Sequence, residues 1–538
     1  MICIKDVKIL SSLEKIYDSD IMPTEAYKGF SMLKNEKKSF QLAIEAVEDC
    51  EAEIEYESSL ENICIYTVEH IKSDLPMQKT GADDYYRFSE SGYYPDLLLP
   101  SDGKVKAKKG ITVLWFEIDA ASNSAGKHRI DFTVGDKSAG IDIEIIDAEL
   151  DFKDFVYTCW FHTDCLMSYY NFEAFSDEYW RVAENYLKTA AEYGMTCVLT
   201  PLFTPPLDTA VGGERPTVQL VDVTVKNGEY SFNFDKLTRW IDMAHRCGIR
   251  YFEFSHFFTQ WGAKKAPKIM ATADGEYKKL FGWETKAMSK EYKAFLKAFS
   301  CELKKYIEKR NLKDNVFIHV SDEPNFSMIT FYSKASKYIR KLFAGYKIMD
   351  ALSDYWFYKL KIVPNPIPAN DHIDKFIGNV DNLWTYYCSA QNSHNVSNRF
   401  FCNDSLRTRV IGYQMFKFDI CGFLHWGYNF YYKKLSKGLV NPYEVTDAGK
   451  EFPSGDSFIV YPAKDGTAYH SLRLKVFFDA LQDMAALNTL EKLTDKMTCL
   501  SIIEENGKSN ITFREYPHSD KWLLSTREAV NAAIKAQK

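Results

Sequence analysis

Two adjacent carboxylates, Asp322 and Glu323, are the strongest candidates for chemistry in this sequence. They come near the end of the stretch V-F-I-H-V-S-D-E-P, which runs from Val316 to Pro324. Its apolar, β-branched part predicts a buried strand, and Pro324 biases Glu323 away from helix. The pair therefore lies where a strand breaks into a loop. Two close carboxylates suit proton transfer, although capping of a following helix explains the same residues equally well.

Polar and aromatic residues also occur at the ends of other strand-like segments. The candidates are His162, Asp164, His256, Trp384, Tyr386, Tyr387, Trp426 and Asn429. Taken singly, a histidine near a strand end is more often structural than catalytic, and a tryptophan is more often part of the core. Their expected convergence at one rim, where barrels keep their chemistry, favours a functional site.

A metal centre is the competing interpretation of these residues. The possible ligands are His162, Asp164, His256, His319, Asp322 and Glu323. Their spacing contains neither H-x-H nor H-E-x-x-H, the patterns that place two ligands on one face. The sequence therefore predicts no metal and no other cofactor.

The elements that must position these residues alternate between strand and helix from about residue 155. The predicted strands are Tyr157 to His162, Thr196 to Phe203, Arg250 to Phe258, Val316 to Ser321, Lys347 to Leu352, Lys361 to Ile367, Leu383 to Ser389 and Gly422 to Tyr428. Eight such strands with intervening helices predict a (β/α)8 barrel over residues 151–494. An open, doubly wound sheet is the alternative, but no glycine-rich dinucleotide fingerprint follows the first strand.

The regions on either side of the barrel differ from it in pattern. Short alternating strands over residues 1–150 predict an antiparallel β-sandwich. Residues 76–109 are expected to form a long loop that carries Tyr93 to Pro100 over a neighbouring domain. Residues 495–538 are too few for a domain, and we expect two short strands, Cys499 to Glu504 and Ser509 to Arg514, and a final helix that pack on the rest.

Composition excludes several classes of partner. The formal net charge of −7 comes without basic blocks, which argues against nucleic acid or an anionic membrane. No apolar run is long enough for a membrane span or, at the N-terminus, for a signal peptide, so we expect a soluble, cytoplasmic chain. Aromatic residues make up 15% of the chain, a surplus that suits the gripping of sugar rings but also fits a Tyr-rich composition bias.

The cysteines predict thiols rather than cross-links. All 12 occur singly along the chain, in predicted strands and helices, and none forms a C-x-x-C pair. This pattern favours reduced, buried side chains over a disulfide framework or a zinc site.

An ordered set of segments resembles glycoside hydrolase family 123 and its relatives in domain-of-unknown-function family 4091. The segments are W-F-H-T-D-C-L (Trp160 to Leu166), T-P-P-L-D-T (Thr204 to Thr209), G-G-E-R-P-T-V-Q-L-V (Gly212 to Val221), S-H-F-F-T-Q-W-G-A-K-K-A-P-K-I (Ser255 to Ile269), F-G-W-E-T (Phe281 to Thr285), S-D-E-P (Ser321 to Pro324), G-F-L-H-W-G-Y-N (Gly422 to Asn429), P-S-G-D-S-F-I-V-Y-P (Pro453 to Pro462) and S-L-R (Ser471 to Arg473). S-D-E-P alone is weak, whereas the whole set is specific.

The resemblance implies a β-sandwich followed by a (β/α)8 barrel that removes terminal β-linked GalNAc with retention of configuration. The substrate would be a carbohydrate with a terminal β-linked amino sugar. Its own 2-acetamido oxygen would be the nucleophile and would form an oxazolinium intermediate. Carried onto this chain, Glu323 is the general acid and then the base, while Asp322 orients the acetamido N–H. Substrate-assisted glycosidases do not need two opposed carboxylates, so adjacency is workable.

The other candidates are expected to bind the sugar. Trp426 or Trp384 would pack on its apolar face, and Tyr386 or Tyr387 would bond the acetamido oxygen. Hydroxyl groups would be bound by His162, Asp164 and His256, with Arg215 as a further loop contact and Asn429 at the end of the eighth strand.

Two alternatives stay open: a β-N-acetylglucosaminidase or other glycosidase on the same fold, and a sugar-binding protein without activity. The assignment also makes a geometric demand. Successive side chains of a strand point to opposite faces, so the strand must be broken or bulged by Asp322 if both carboxylates are to face the sugar.

Overall fold

The computed structural model describes residues 3–78, 80–508 and 510–538. Residues 3–150 form eleven strands. These are β1 (Ile4–Ser11), β2 (Gly29–Leu33), β3 (Lys37–Ala46), β4 (Cys50–Glu53), β5 (Glu55–Ser58), β6 (Ile63–Ser73), β7 (Gly92–Pro100), β8 (Lys104–Ala107), β9 (Gly110–Asp119), β10 (Gly126–Val134) and β11 (Lys137–Ile146). Alternating apolar residues place one face of each long strand in the core, as in β10 and β11.

The predicted sandwich is confirmed, with one parallel pair. A sheet containing β1, β3, β9, β6 and β7 faces a second sheet in the order β2, β11, β10, β5. Phe40, Phe116 and Phe132 join the two sheets, with ring centroids 5.3 Å and 5.0 Å apart in successive pairs. Only β2 and β11 run parallel among these strands. The aromatic layer fixes the two faces against each other.

The second region alternates strands with helices. Its elements are β12 (Val156–Cys159), α1 (Thr163–Tyr170), α2 (Asp177–Glu192), β13 (Cys197–Thr200), β14 (Asp222–Lys226), β15 (Glu229–Asn233), α3 (Asp235–Arg246), β16 (Tyr251–Phe254), β17 (Ile269–Ala273), β18 (Glu276–Phe281), α4 (Lys290–Lys309), β19 (Val316–Ile318), α5 (Ile329–Leu342), β20 (Lys347–Ala351), α6 (Tyr355–Lys359), β21 (Asn365–Ile367), β22 (Trp384–Tyr386), α7 (Ser405–Arg409), α8 (Ile411–Lys417) and β23 (Gly422–His425).

Eight of these strands form the barrel, and all eight coincide with predicted ones. The parallel order is β21, β20, β19, β16, β13, β12, β23, β22. A parallel bridge between Ala369 and Tyr386 closes the ring between the two ends of that order. The observed strands are shorter than predicted. At the end of several strands the backbone leaves the sheet early, and the polar residues there lie in loops. Strands β14, β15, β17 and β18 form a separate sheet from insertions in two of these loops.

The prediction that residues 76–109 form a long loop is wrong. Its centre is β7, which pairs with β6 and also with β25 (Ala468–Ser471), itself paired with β24 (Val460–Pro462). Two strands from the second region therefore complete the sandwich sheet. Buried Asp96 of β7 accepts hydrogen bonds from Arg473 Nε at 2.8 Å and Tyr461 Oη at 2.6 Å. A charge-assisted bond thus joins the two regions.

In the C-terminal segment, one of the two expected strands is a helix, and the described residues of the other form no strand. The last helices are α9 (Leu472–Leu493), α10 (Lys496–Gly507) and α11 (Asp520–Ala536). The predicted strand Cys499 to Glu504 lies within α10. The other predicted strand is Ser509 to Arg514. Its first residue, 509, lies outside the described residues, and residues 510–514 form no strand. Asp495 caps α10 by accepting from Thr498 N, a local signal that favours helix over strand. None of the described helices is apolar enough over its length to cross a membrane.

The expectation of reduced thiols needs a correction. Cys3 and Cys50 are joined by a disulfide, and Cys64 and Cys301 are exposed rather than buried. The strand pairing of β1 brings the two half-cystines together, since Val47 N donates to Cys3 O at 3.0 Å. Their separation of 47 residues gave no local signal. Five further cysteines are buried as predicted: Cys159, Cys165, Cys197, Cys402 and Cys499.

We predict that Asp96→Ala will lower the free energy of unfolding by about 3–5 kcal/mol, because it leaves the buried Arg473 guanidinium unpaired. Urea unfolding measures the change. The matched control is Asp147→Ala, which removes an exposed partner of Lys34 and should cost less than about 1 kcal/mol. Equal effects of the two substitutions would contradict a joining role for Asp96.

Candidate active site

A cavity of about 210 Å³ lies at the carboxyl ends of the barrel strands. Its wall contains both Asp322 and Glu323, together with aromatic side chains that include Trp160, Tyr386 and Trp426. Each of these residues follows or ends a barrel strand. The cavity therefore occupies the position at which barrels of this type carry their functional groups.

The carboxylate pair faces one cavity because its strand ends early. Strand β19 stops at Ile318, so residues 319–323 are free of the alternation of a strand. Trp261 N donates to Asp322 O at 3.1 Å, and Glu323 N donates to Ala351 O at 3.2 Å. These bonds hold the irregular segment against the loop after β16 and the last residue of β20. The predicted break before Asp322 is confirmed.

Three residues in the cavity wall have left-handed backbone conformations. The φ angles are 38° for Asp208, 58° for Trp261 and 40° for Glu323. Side chains other than glycine rarely adopt this region, and such strain collects at functional sites. All three lie on loops that follow barrel strands. The backbone strain thus marks the same cavity as the carboxylates.

The protonation of the pair is governed by burial and mutual repulsion. Burial raises the pKa of Asp322 well above its usual range, and the adjacent Glu323 carboxylate raises it further. Burial also raises the pKa of Glu323, whereas the Tyr386 hydroxyl, which donates to Glu323 Oε1 at 2.5 Å, lowers it. Two close carboxyls in this setting do not both ionise readily, so one of them keeps its proton. One group can then donate while the other accepts.

A buried network supports the pair from below. His319 bonds Glu253 through Nε2 at 2.6 Å and Asp350 through Nδ1 at 3.2 Å, and all three side chains are fully buried. Burial alone would lower the pKa of His319, but the two carboxylates raise it to about 10. The imidazolium charge in turn lowers the Asp322 pKa. Trp160 Nε1 donates to Glu253 Oε1 at 3.0 Å, which ties the cavity wall to this network.

His256, His319 and Asp350 also form a potential metal-ligand group, with donor atoms within 4.8 Å of one another. Both His319 nitrogens already contact carboxylates, and a protonated imidazole is not a ligand. Among the residues that the structure describes, neither ring nitrogen of buried His256 has a hydrogen-bond partner. His256 packs 4.5 Å from His319 between ring centroids, a contact that suits neutral imidazole beside the charged one. The bonding of His319 favours charge stabilisation over metal binding.

Trp426 has the firmest support among the predicted sugar platforms. Its Nε1 donates to the buried Asp456 Oδ2 at 3.0 Å. Phe430 and Phe452 pack edge-on against its ring, with centroids 5.0 Å and 5.4 Å away. The ring is therefore fixed in the cavity wall. Phe430 and Phe452 lie outside every segment singled out from the sequence. Asp456 lies inside one of those segments, but no local pattern places it beside Trp426.

His162 lines the cavity, whereas Asp164, Arg215 and Asn429 stand behind it. Arg215 makes two 2.7 Å bonds to Asp164, and its Nη2 donates to His162 Nδ1 at 3.0 Å. The Asn429 side-chain amide bonds His162 N at 2.9 Å and His162 O at 3.1 Å. Burial, with the Arg215 charge, lowers the pKa of His162 to about 3. Arg215 and Asn429 therefore contact His162 from behind the cavity, and the Arg215 charge favours the neutral form of His162.

Three other predicted sugar contacts lie away from the cavity. Trp384 fills the barrel interior against Phe317, at a centroid distance of 5.1 Å. Tyr387 packs on Phe423 in the outer barrel wall, and His256 lies buried beneath Trp160. The residues contributed by neighbouring loops are Leu207, Asp208, Gln260, Trp261, Lys434 and Phe452. Trp384 shares the inward face of β22 with Tyr386 but lies two residues farther from the carboxyl end of the strand, whereas Tyr387 packs in a different cluster.

The family model for the catalytic domain of glycoside hydrolase 123 matches residues 160–490. The chain belongs to glycoside hydrolase family 123. No curated protein matches the sequence. The matched segment contains all eleven candidate residues, from His162 to Asn429. The resemblance drawn from the sequence motifs is therefore confirmed, and the protein is a glycosidase.

Solved structures agree with this family 123 assignment at the level of fold. A family 123 glycoside hydrolase from Clostridium perfringens, described in a structural analysis of glycolipid glycan hydrolysis, has a TM-score of 0.73 at 15% identity, over 98% of this chain and 97% of that chain. An FMN-binding β-glucuronidase from Facaelibacterium prausnitzii L2-6 has a TM-score of 0.32 at 8% identity, over 83% and 59% of the two chains. Only the first likeness is strong enough to support the shared fold.

We predict that His319 of this family 123 enzyme stays doubly protonated up to about pH 9, because its pKa is raised to about 10. Since the folded-state pKa lies above the unfolded value of about 6.5, the stability from this proton is complete below about pH 6.5. It is lost as the pH rises through about 10. Nitrogen NMR of ¹⁵N-histidine-labelled protein measures the titration.

Glu253→Gln provides the comparison, since it removes one of the two carboxylates and should move the His319 titration to lower pH. A wild-type His319 that titrates near 6.5 would contradict the buried ion network.

Proposed function

We propose that this protein is a retaining exo-β-N-acetylgalactosaminidase that hydrolyses terminal β-linked GalNAc with help from the substrate's acetamido group. The observation that carries the proposal is the placement of two sequence-adjacent carboxylates, Asp322 and Glu323, in the wall of one cavity. A nucleophile and an acid of the enzyme must stand on opposite faces of the sugar ring, an arrangement that two sequence-adjacent side chains in one wall do not favour. The pair suits a mechanism in which the nucleophile belongs to the substrate.

The first step forms the oxazolinium intermediate. The acetamido carbonyl oxygen attacks the anomeric carbon while the glycosidic bond breaks, and Glu323 gives its proton to the departing oxygen. Asp322 accepts a hydrogen bond from the acetamido N–H and balances the positive charge that develops on that group. Burial raises the pKa of both carboxyls and so keeps a proton available for donation. The same low-dielectric surroundings strengthen the attraction of Asp322, in its ionised form, for the cation.

The second step returns the enzyme to its starting state. Glu323, now a carboxylate, takes a proton from water, and the oxygen of that water attacks the anomeric carbon from the face that the leaving group vacated. The acetamido group is restored, so two inversions give net retention. Tyr386, expected to bond the acetamido oxygen, instead donates to Glu323 Oε1 and lowers its pKa. It stabilises the ionised form of Glu323 on which this step depends.

The aromatic wall supports recognition of a sugar. Trp426 and Trp160 offer flat surfaces in a cavity of about 210 Å³, which suits one ring rather than a chain. A cavity of that size supports an exo mode of action on the terminal residue. Glycolipid glycan hydrolysis is described for the relative from Clostridium perfringens. Glycolipid glycans are therefore candidate substrates to test with this protein.

We predict that Glu323→Gln will lower kcat by about 10²- to 10⁴-fold on an unactivated β-GalNAc glycoside, because proton donation to the leaving oxygen is lost. The loss should be smaller on a nitrophenyl glycoside, whose leaving group needs less protonation, and azide should partly rescue Glu323→Ala. Steady-state kinetics measure both. The control is Glu276→Gln on exposed β18. Unchanged turnover in Glu323→Gln would refute the assignment.

We predict that a thiazoline mimic of the oxazolinium will inhibit competitively, and far more tightly than GalNAc, because it resembles the charged intermediate. Asp322→Asn should weaken that inhibition and lower kcat together. Aryl β-galactoside, which lacks the acetamido group, should turn over much more slowly than aryl β-GalNAc, and aryl β-GlcNAc tests the choice of epimer.

Efficient turnover of the galactoside would instead indicate an enzyme nucleophile, for which Asp208 in the same wall is the candidate. Binding of the panel without turnover would indicate a sugar-binding protein.

A further inference from the structure

The most exposed phenylalanine and tryptophan rings of this protein lie together. Of the 37 Phe and 10 Trp residues, the four with the largest exposed fraction are Trp261 (42%), Phe326 (58%), Phe331 (54%) and Trp356 (51%). All four follow β16, β19 or β20, which are neighbours in the barrel order. Such rings are normally buried, so exposed ones without a common role would be scattered over the surface. We call these four rings the aromatic patch.

The segments that carry the aromatic patch pack against one another. Gly262, next to Trp261, approaches Met328 so closely that a Cβ added to the glycine would lie 3.1 Å from the methionine side chain. Asn325 and Trp356 line the same open groove. The four rings therefore belong to one continuous face, at the carboxyl ends of the barrel strands. Trp261 also lines the catalytic cavity, so this face borders the mouth of the cavity.

Neither phenylalanine of the aromatic patch is explained by the core or by the catalytic cavity. Phe331 lies in the first turn of α5, whose core-facing residues include Tyr332 and Ile339. Phe326 lies in a 3-10 turn that the side chain of Asn325 caps. Neither ring lines the cavity or the adjoining groove. Two large apolar rings that serve neither packing nor the cavity are typical of a surface that a partner covers.

The same segments are basic although the chain as a whole is acidic. Residues 255–268, 324–334 and 353–361 contain six lysines and one acid, Asp354, in a chain of net charge −7. The Asp354 carboxylate already caps α6, where it accepts from Trp356 N at 3.0 Å. The sequence shows no basic block because the lysines come from three separate segments, and only the fold gathers them. The charge of this face is therefore opposite to that of the whole chain.

Two of these lysines lie beside the aromatic rings instead of beside carboxylates. Lys264 Nζ is 5.6 Å from the centroid of Phe331, and Lys359 Nζ is 4.8 Å from the centroid of Trp356. Within the part of the chain that the structure describes, neither nitrogen has a carboxylate oxygen within 4.0 Å. Both ammonium groups are thus available to an anionic partner, and each stands next to a ring that an apolar partner would cover.

We propose that the aromatic patch docks on the surface of a lipid bilayer that contains anionic headgroups. Exposed aromatic rings interleaved with lysines are typical of surfaces that lie in the headgroup region, where the rings enter the acyl boundary and the ammonium groups bind phosphates. Interfaces between proteins are depleted in lysine, which disfavours a protein partner here. Docking in this way would place the mouth of the catalytic cavity at the bilayer surface. The proposal does not depend on the reaction that the cavity performs.

The test measures sedimentation of the full-length protein with vesicles of phosphatidylcholine that contain about a third phosphatidylglycerol. Wild type should bind these vesicles, and less to phosphatidylcholine alone or at high salt, because salt screens the lysines. The double variant Phe326→Ala/Phe331→Ala should bind at least about tenfold more weakly, since two rings no longer leave water. Lys264→Gln should cost about fivefold. Tyr93→Ala, at an equally exposed ring on β7 of the sandwich, is the matched control and should bind as wild type does.

Two further measurements keep this test separate from folding and from the proposed hydrolysis. A blue shift of intrinsic tryptophan fluorescence, as Trp261 and Trp356 leave water, should accompany binding of the wild type and needs no variant. Turnover of soluble 4-nitrophenyl β-GalNAc should change less than about twofold in the double variant, because neither phenylalanine lines the cavity. Vesicle binding is measured without substrate, so failure of the hydrolase proposal would leave it intact.

Three results would overturn bilayer docking: no binding of the wild type to the mixed vesicles, equal binding of the wild type and the double variant, or an equal loss in Tyr93→Ala. Light scattering adds a fourth. A dimer that the double variant dissociates, without vesicle binding, would show that the aromatic patch joins two copies of the chain instead.

Discussion

Neighbouring side chains of a β-strand point to opposite faces. The site therefore requires that Asp322 and Glu323 lie outside a regular strand. Strand β19 ends at Ile318, four residues before Asp322. The following segment is held by bonds from Trp261 N and to Ala351 O, and Glu323 adopts a left-handed conformation. These contacts stabilise a backbone that would otherwise be strained. With the segment so held, two consecutive carboxylates reach one cavity and can take unlike tasks.

The same site concentrates negative charge that must be balanced. Glu253, Asp350, Asp322 and Glu323 lie in or beneath one cavity, and His319 is held between the first two. Its raised pKa keeps it cationic, and this charge opposes the upward shift of the Asp322 pKa. The buried network is therefore part of the electrostatics of the pair. A neutral residue at position 319 would leave both buried carboxylates uncompensated.

The barrel and the carboxylate pair were predictable because both have local signals. Eight apolar runs mark the strands, and Pro324 marks the break after Glu323. The sugar-binding set was less predictable, since it depends on where each strand ends. Trp384 and Tyr387 flank Tyr386, yet only Tyr386 enters the cavity. Three features depend on partners that are remote in sequence: the disulfide, the pairing of strand β7, and the ion pair of Asp164 with Arg215. Such partners leave no local pattern in a single sequence.

The shared sheet has a consequence for where this protein can be divided. The family match begins at residue 160, but strand β25 pairs with β7, and Asp96 neutralises Arg473 of α9. A fragment that starts at the family boundary would keep β25 as an open, unpaired edge and would leave a guanidinium buried without its counter-ion. Open edges promote association between chains. The sandwich is thus a structural part of the catalytic unit, and its removal would yield an aggregating fragment in place of a smaller enzyme.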